Sequence, residues 1–177
     1  MLTLILGGAR SGKSAFAEQQ ALEVGGDAVL FVATAEAGDQ EMRRRIDRHR
    51  RSRPATWQTI EAPRRVGEIL RRHGSGAQAV IVDCLTLLVA NVLNGWKDPW
   101  APEVAEAVRD EVGDLVTAAR ALKTHVFVVS NEVGMGLVPP SPLGRAYRDL
   151  LGEANRRLAA AADAVYLLVA GIPVRVK

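Results

Sequence analysis

Gly7-Gly8-Ala9-Arg10-Ser11-Gly12-Lys13-Ser14 spells G-x-x-x-x-G-K-S, a spacing suited to holding phosphate. Its glycines let the backbone turn tightly and aim its N–H groups at phosphate oxygens. A helix starting at the end of the loop adds the positive end of its dipole. Lys13 is placed to reach the β- and γ-phosphates, and the Ser14 hydroxyl to sit on Mg²⁺. The bland alternative is a glycine turn ahead of an ordinary helix, so the flanks decide. Residues 2–6 are a short apolar run that reads as a buried strand. Residues 15–24 continue in helix formers, with Ala17, Ala21 and Val24 on one face. Strand, loop and helix in that order is the context the motif requires, so nucleotide binding is expected.

Two further stretches carry chemistry. Ala79-Val80-Ile81-Val82-Asp83 is an apolar strand ending in a carboxylate. Downstream of a phosphate loop such a residue holds Mg²⁺, directly or through water. Elsewhere it caps the helix that follows. Residues 41–53 read as a helix with a narrow stripe of Met42 and Ile46, His49 at its edge and Pro54 as its stop. Between residues 43 and 53 stand seven arginines and one aspartate, a local charge of +6 in a chain of net +3. That basicity calls for a concentrated anion. His49 is either incidental on a solvated basic helix or a nucleophile. A neutral imidazole can attack a nucleotide α-phosphate, expel pyrophosphate and carry the nucleotidyl group as a phosphoramidate. Nearby arginines disfavour imidazolium and would stabilise the leaving pyrophosphate.

The elements that must position these residues follow a βαβ rhythm. A chain of 177 residues suffices for one domain with a full core, expected over 1–177. The 48% hydrophobic and 24% charged fractions are those of a soluble globular protein. No apolar run is long enough to span a bilayer, and the N-terminal run has no basic leader. Cys84 is the single cysteine, which fits a reducing cytoplasm, and reads as a small buried hydrophobe. Strand-like runs recur at 2–6, 28–33, 79–82, 126–129 and 165–169, with helical patterns between them. The expected fold is α/β, a P-loop NTPase-type domain with a mainly parallel sheet flanked by helices. Val174-Arg175-Val176 after Gly171-Ile172-Pro173 reads as a hairpin return and an antiparallel C-terminal edge strand.

Two segments break the rhythm. Residues 94–102 hold Gly95, Pro99 and Pro102 with Trp96 and Trp100, a surface loop whose tryptophans mark either a covered surface or subunit contact, or local packing. Residues 133–143 hold two glycines and three prolines and leave the C-terminal end of the 126–129 strand, where open α/β sheets bind ligands. Asn131 and Glu132, with Arg145, Arg148 and Asp149 on the next helix, can bind a phosphorylated tail or be ordinary surface charge.

The chain resembles the bifunctional adenosylcobinamide kinase/adenosylcobinamide-phosphate guanylyltransferase family of cobalamin biosynthesis. The resemblance rests on GGARSGKS at 7–14, ATAEAGDQEMRRRIDRHRRSRPATWQT at 33–59 and SNEVGMGLVPPSPLGRAYRDLLGEANRRLA at 130–159, and with 79–86 it covers nearly the whole chain. R-I-x-x-H-x-x-x-R-P together with N-E-V-G-x-G-x-V-P is far more specific than the phosphate loop alone. It implies two reactions: phosphorylation of the aminopropanol hydroxyl of adenosylcobinamide by ATP or GTP, then transfer of GMP from GTP through a histidine, here His49, to adenosylcobinamide phosphate. The implied nucleotide-binding positions are Gly7, Gly8, Ala9, Arg10, Ser11, Gly12, Lys13 and Ser14, then Thr34, Ala35 and Glu36, then Arg50, Arg51, Ser52 and Arg53, and Glu61 and Asp83. Lys13 and His49 are the implied catalytic residues, and Ser14 and Asp83 the Mg²⁺ ligands. The family also implies a homotrimer. Departures are small: Arg156 stands where relatives often have Gln, and Arg48 where some carry a second histidine. His49 is therefore the motif's only histidine. His73 and His125 read as a helix end and a strand start.

Two other classes fit parts of the pattern. A nucleic-acid-binding ATPase would use the arginine cluster, but aromatics are only 5% of the chain and offer no evident base-stacking platform, so no nucleic-acid partner is expected. A monofunctional small-molecule kinase would leave His49 idle. Nucleic-acid-stimulated hydrolysis marks the first, and acid-labile labelling by α-labelled GTP separates the second from the bifunctional enzyme.

Overall fold

The computed structural model describes residues 1–36, 40 and 53–177. His49, Arg50, Arg51, Ser52 and the helix expected over 41–53, except Arg53, lie outside the described residues. In chain order the elements are β1 (Leu2–Gly7), α1 (Lys13–Gly25), β2 (Val29–Ala33), β3 (Gln58–Glu61) and α2 (Val66–His73). There follow a 3-10 turn (Gly74–Gly76), β4 (Ala79–Asp83), α3 (Leu85–Leu93), α4 (Pro102–Ala121), β5 (His125–Asn131), α5 (Pro142–Ala161), β6 (Ala164–Val169) and β7 (Ile172–Arg175).

Among the described residues the strands form one sheet in the order β3-β2-β4-β5-β1-β6-β7. Every pair is parallel except β6–β7. A parallel sheet needs cover on both faces, which explains the near-continuous apolar strands. On one face α1 covers Ile5, Phe31, Ile81, Phe127 and Val129. On the other, α2, α3 and α5 pack over Leu4, Val32, Val82 and Val128, and α4 rests on those three helices. The parallel register brings the C-terminal strand ends Gly7, Ala33, Glu61, Asp83 and Asn131 to one rim.

Two details differ from the sequence reading. Val24 is 47% exposed, so only Ala17 and Ala21 of the expected stripe are buried. At that end of α1 the sheet contact is made by Gly25 instead, where a Cβ would come within 3.0 Å of the Ala79 side chain. The hairpin turn is Ala170-Gly171, not Gly171-Ile172-Pro173. Both residues have left-handed φ (52° and 85°), as in a two-residue hairpin turn, and Val169 pairs directly with Ile172. Pro173 lies inside β7, tolerated because β7 is an edge strand. Trp96 and Trp100 are 41% and 54% exposed, on the surface loop expected there.

His125 opens β5 and His73 closes α2, as expected. The His125 ring stacks on Phe127 at 4.1 Å between centroids, with Nε2 3.0 Å from Thr3 Oγ1. Burial, reinforced by the N-terminal ammonium and opposed by Asp163, holds its pKa below the ordinary 6.5. The fold thus prefers the neutral ring, while the unfolded chain takes up a proton near 6.5. This stabilisation is complete above that value and is lost as pH falls through it towards the folded pKa. The melting temperature should drop between pH 7.5 and 5.5, and His125→Gln should flatten that slope in calorimetric scans.

Candidate functional site

The phosphate loop leaves β1 and closes on α1. Gly7 passes so close to β6 that a Cβ would lie 2.8 Å from Leu168 O and 2.5 Å from Ser11 Oγ. Arg10 (φ 58°) and Gly12 (φ 92°) take left-handed conformations that reverse the chain into α1. The turn is braced by Ser11 N donating to Gly8 O (3.3 Å) and by Gly171 N of the β6–β7 turn donating to Ser11 O (3.0 Å). Gly8, Ala9 and Arg10 are exposed, whereas Lys13 is 8% exposed and Ser14 half-buried. Lys13 Nζ curls over the loop to donate to Gly8 O at 2.7 Å. Ser11 Oγ is buried without a hydrogen-bond partner among the described residues. An orphaned hydroxyl in such a cradle is costly unless a ligand oxygen engages it.

Asp83 ends β4 in register with Ala33 and Val129. The capping alternative fails: the N-cap of α3 is Cys84, with no side-chain capping bond. Strand alternation puts Asp83 on the α1 face, since Ile81 packs there and Val82 on the other side. Ser14 and Asp83 are hard oxygen donors on that face. They fit Mg²⁺, which takes one or two protein oxygens and otherwise binds phosphate and water. No cluster of three or more His, Cys, Asp or Glu able to cage a metal stands among the described residues. Cys84 is half-buried, and burial with the neighbouring Asp83 pushes its thiol up to about 11, so it stays protonated.

Thr34 is fully buried and its hydroxyl is committed. Oγ1 donates to Cys84 O and accepts from Cys84 N, each at 2.7 Å, while Thr34 O accepts from Asn91 Nδ2 at 2.8 Å. It ties β2 to β4 at the rim, leaving half-buried Ala35 and exposed Glu36 beyond it. Glu61 ends β3 opposite Ala33 and is exposed. Ile60 packs on the far core and Trp57 on the α1 side, so Glu61 shares the α1 face with Trp57, as the alternation predicts. The arrangement thus brings Gly7–Ser14, Thr34–Glu36, Glu61 and Asp83 to one rim.

Arg53 lies on the α1 face too. Its guanidinium stands 3.3 Å from the centroid of the Phe31 ring, and Nε is 3.7 Å from Glu18 Oε1. Glu18 escaped the sequence reading, although it follows Ser14 by four residues and so shares its helical face. Burial raises its pKa, Arg53 opposes the rise, and Asp83 adds to it. The carboxylate therefore feels both Arg53 and Asp83, on the side of the sheet that α1 covers.

The loop after β5 emerges at the rim as expected: Asn131 pairs with Gly7, and Glu132 N donates to Gly7 O at 3.1 Å. Met135, Leu137 and Val138 on this loop are exposed at 81%, 96% and 63%. Arg145 is spent on the loop's own carbonyls, Pro139 O (3.2 Å) and Pro140 O (2.7 Å), and Arg148 on Asp149 (3.2 Å). An apolar groove of about 320 Å³ runs between α3 and the start of α5, lined by Ala90, Leu93, Leu143 and Tyr147.

A family model described as cobinamide kinase / cobinamide phosphate guanyltransferase matches residues 3–176. The chain is 42% identical to the bifunctional adenosylcobalamin biosynthesis protein CobU of Escherichia coli K12, with both chains covered in full. It is equally 42% identical to the bifunctional adenosylcobalamin biosynthesis protein CobP of Pseudomonas aeruginosa, over all of this chain and 98% of that one. Among solved structures it resembles the RadB recombinase (TM-score 0.53, 18% identity, 94% of this chain and 73% of that one). It also resembles the flagellar accessory protein FlaH of Methanocaldococcus jannaschii (TM-score 0.51, 12% identity, 99% and 77%). At such identities these two speak for the P-loop NTPase-like fold alone. No helix among the described residues is long and apolar enough to cross a membrane.

Proposed function

The chain belongs to the cobinamide kinase / cobinamide phosphate guanyltransferase family, and from that premise we propose that it runs both reactions on adenosylcobinamide. In the first, the substrate's aminopropanol hydroxyl attacks the γ-phosphorus of ATP or GTP. The bond to the β-phosphate oxygen breaks, the nucleoside diphosphate leaves, and the hydroxyl proton is released. In the second, a ring nitrogen of neutral His49 attacks the α-phosphorus of GTP and pyrophosphate leaves. A phosphate oxygen of adenosylcobinamide phosphate then attacks the phosphorus of the histidine-bound GMP. The P–N bond breaks, giving adenosylcobinamide-GDP and restoring the imidazole. The observation that carries this reading is 42% identity, over the full length, to bifunctional relatives.

The residues take separate parts. The Gly7–Ser14 backbone cradles the triphosphate, and Lys13 leaves Gly8 O for the β- and γ-phosphates. Ser14 and Asp83 hold Mg²⁺, which supplies charge neutralisation of the phosphates when bound. Arg50, Arg51 and Arg53 stabilise the departing pyrophosphate, with Ser52, Thr34, Ala35 and Glu36 completing the nucleotide site. Residues 1–177 act as one domain, supported by the single sheet that runs from Leu2 to Arg175. The family resemblance supports a homotrimer, which light scattering would test. The decisive assay incubates purified protein with adenosylcobinamide, ATP, GTP and Mg²⁺. Adenosylcobinamide-GDP and pyrophosphate are the expected products, and a corrinoid recovered unchanged would overturn the reading.

Glu61 is proposed to select guanine. A carboxylate accepts from both N–H groups of guanine's Watson–Crick edge, a match adenine cannot make. A site that loses such a pairing discriminates poorly. Glu61→Gln should reduce the GTP-over-ATP preference of the guanylylation step by about tenfold or more. A preference equal to that of the parent protein would show that Glu61 contacts ribose or solvent instead.

A further inference from the structure

Three buried polar side chains gather behind the C-terminal end of β5. Ser130 is fully buried, Asn155 of α5 is 5% exposed and Thr86 at the start of α3 is 8% exposed. All three converge on one residue. Ser130 Oγ donates to Asn155 Oδ1 at 2.6 Å, which orients the carboxamide so that Asn155 Nδ2 donates to Asn131 O at 2.9 Å. Thr86 Oγ1 accepts from Asn131 N at 2.8 Å, and Thr86 O accepts from Tyr147 OH at 3.3 Å. Both main-chain groups of Asn131 are thus gripped by buried side chains from two helices. Buried polar groups carry a desolvation cost, so a network spent on one residue's backbone implies that its placement matters.

The placement is informative. Ser130 faces α5, so alternation turns the Asn131 side chain to the α1 face. There Asn131 stands in register with Gly7 of the phosphate loop. On the other neighbouring strand Asp83 pairs with Val129, two residues back on the same face. The Asn131 carboxamide forms no hydrogen bond among the described residues, in contrast to its main chain. It offers two N–H donors and a carbonyl with no charge, between the loop that holds the phosphates and the carboxylate assigned to Mg²⁺.

Resting on the nucleotide-site reading above, we infer that Asn131 is a further catalytic residue of the kinase step, whose carboxamide N–H donates to the terminal phosphate of the bound triphosphate. Asn155, Ser130 and Thr86 are its positioning residues. A neutral donor suits this spot. It stabilises charge on the transferring phosphoryl group, and it does not hold the diphosphate product as a second lysine would.

The test compares binding of the β,γ-imido analogues of ATP and GTP with binding of ADP and GDP, by calorimetry with Mg²⁺. The parent protein should favour the triphosphate analogues. Asn131→Ala should lose that preference by about tenfold, with diphosphate affinity within about twofold of the parent. Its kcat for adenosylcobinamide phosphorylation should fall about a hundredfold, with little change in corrinoid KM. Asn155→Ala should show the same signature in weaker form, and adding it to Asn131→Ala should lower kcat no further, as expected for a residue acting only through Asn131. If Asn155→Ala does not fold, Ser130→Ala takes its place in the cycle. Asn131→Ala that keeps the full triphosphate preference overturns the inference while leaving the nucleotide site standing. A parent protein that binds none of the four nucleotides overturns the site and the inference together.

Discussion

Lys13→Ala should fold normally and lose nearly all nucleotide-dependent turnover. In the proposed site the ammonium supplies a point charge at the β- and γ-phosphates, where charge shifts during phosphoryl transfer. Loss of such a contact costs several kcal/mol, roughly a hundredfold or more in rate. The fold should survive because Lys13 Nζ bonds Gly8 O, and Gly8 is exposed, so water can replace the ammonium at that carbonyl. The four-carbon stem is buried with the rest of Lys13, and its loss should lower the melting temperature by only a few degrees. Both steps should fall, since in the proposed mechanism each begins with a triphosphate in the same loop. Turnover of adenosylcobinamide and thermal melting measured on the same preparation check this. A well-folded Lys13→Ala protein with near-parental kinase turnover would remove the loop from the mechanism.

The phosphate loop was legible because everything that defines it is local. An apolar strand, the glycine spacing and a helix-forming run lie within residues 2–25, and the structure places β1 and α1 there. The strand at 79–83 and its terminal carboxylate were legible for the same reason. Strand order was not, because β1 lies between β5 and β6, pairings that join residues more than a hundred positions apart. The clamp on Asn131 was hidden likewise: Asn155 and Thr86 lie 24 and 45 positions from it, and each reads in isolation as an ordinary polar helix residue. Thr34 shows the opposite limit. The family resemblance brings it to the nucleotide, whereas the structure spends its hydroxyl on Cys84, so its local part is to hold the rim together. Val24 misled because a helical stripe says which residues align, not how far the neighbouring sheet extends beneath them.

His49→Ala should separate the two activities. Phosphoryl transfer needs a triphosphate, Mg²⁺ and a positioned hydroxyl, and the γ-phosphoryl group passes straight to that hydroxyl. Guanylyl transfer by the covalent route needs a nucleophile at the α-phosphorus, and His49 is the proposed one. Removing the imidazole should abolish both GMP-labelled protein and adenosylcobinamide-GDP, while phosphorylation of adenosylcobinamide continues at a substantial rate. His49→Asn keeps polarity and approximate size without the nucleophilic ring nitrogen, and should behave alike. Neither of the other histidines is suited to take over. His125 is half-buried at the start of β5, away from the C-terminal rim, and His73 closes α2. The measurement incubates each variant with α-labelled GTP, quenches in alkali to spare the P–N bond, and counts label on the protein. Stoichiometric label on either variant would place the carrier at another residue. Equal loss of both activities in a folded variant would instead make His49 part of a shared nucleotide site, because a carrier acts after the kinase chemistry is complete and its removal leaves the first step intact.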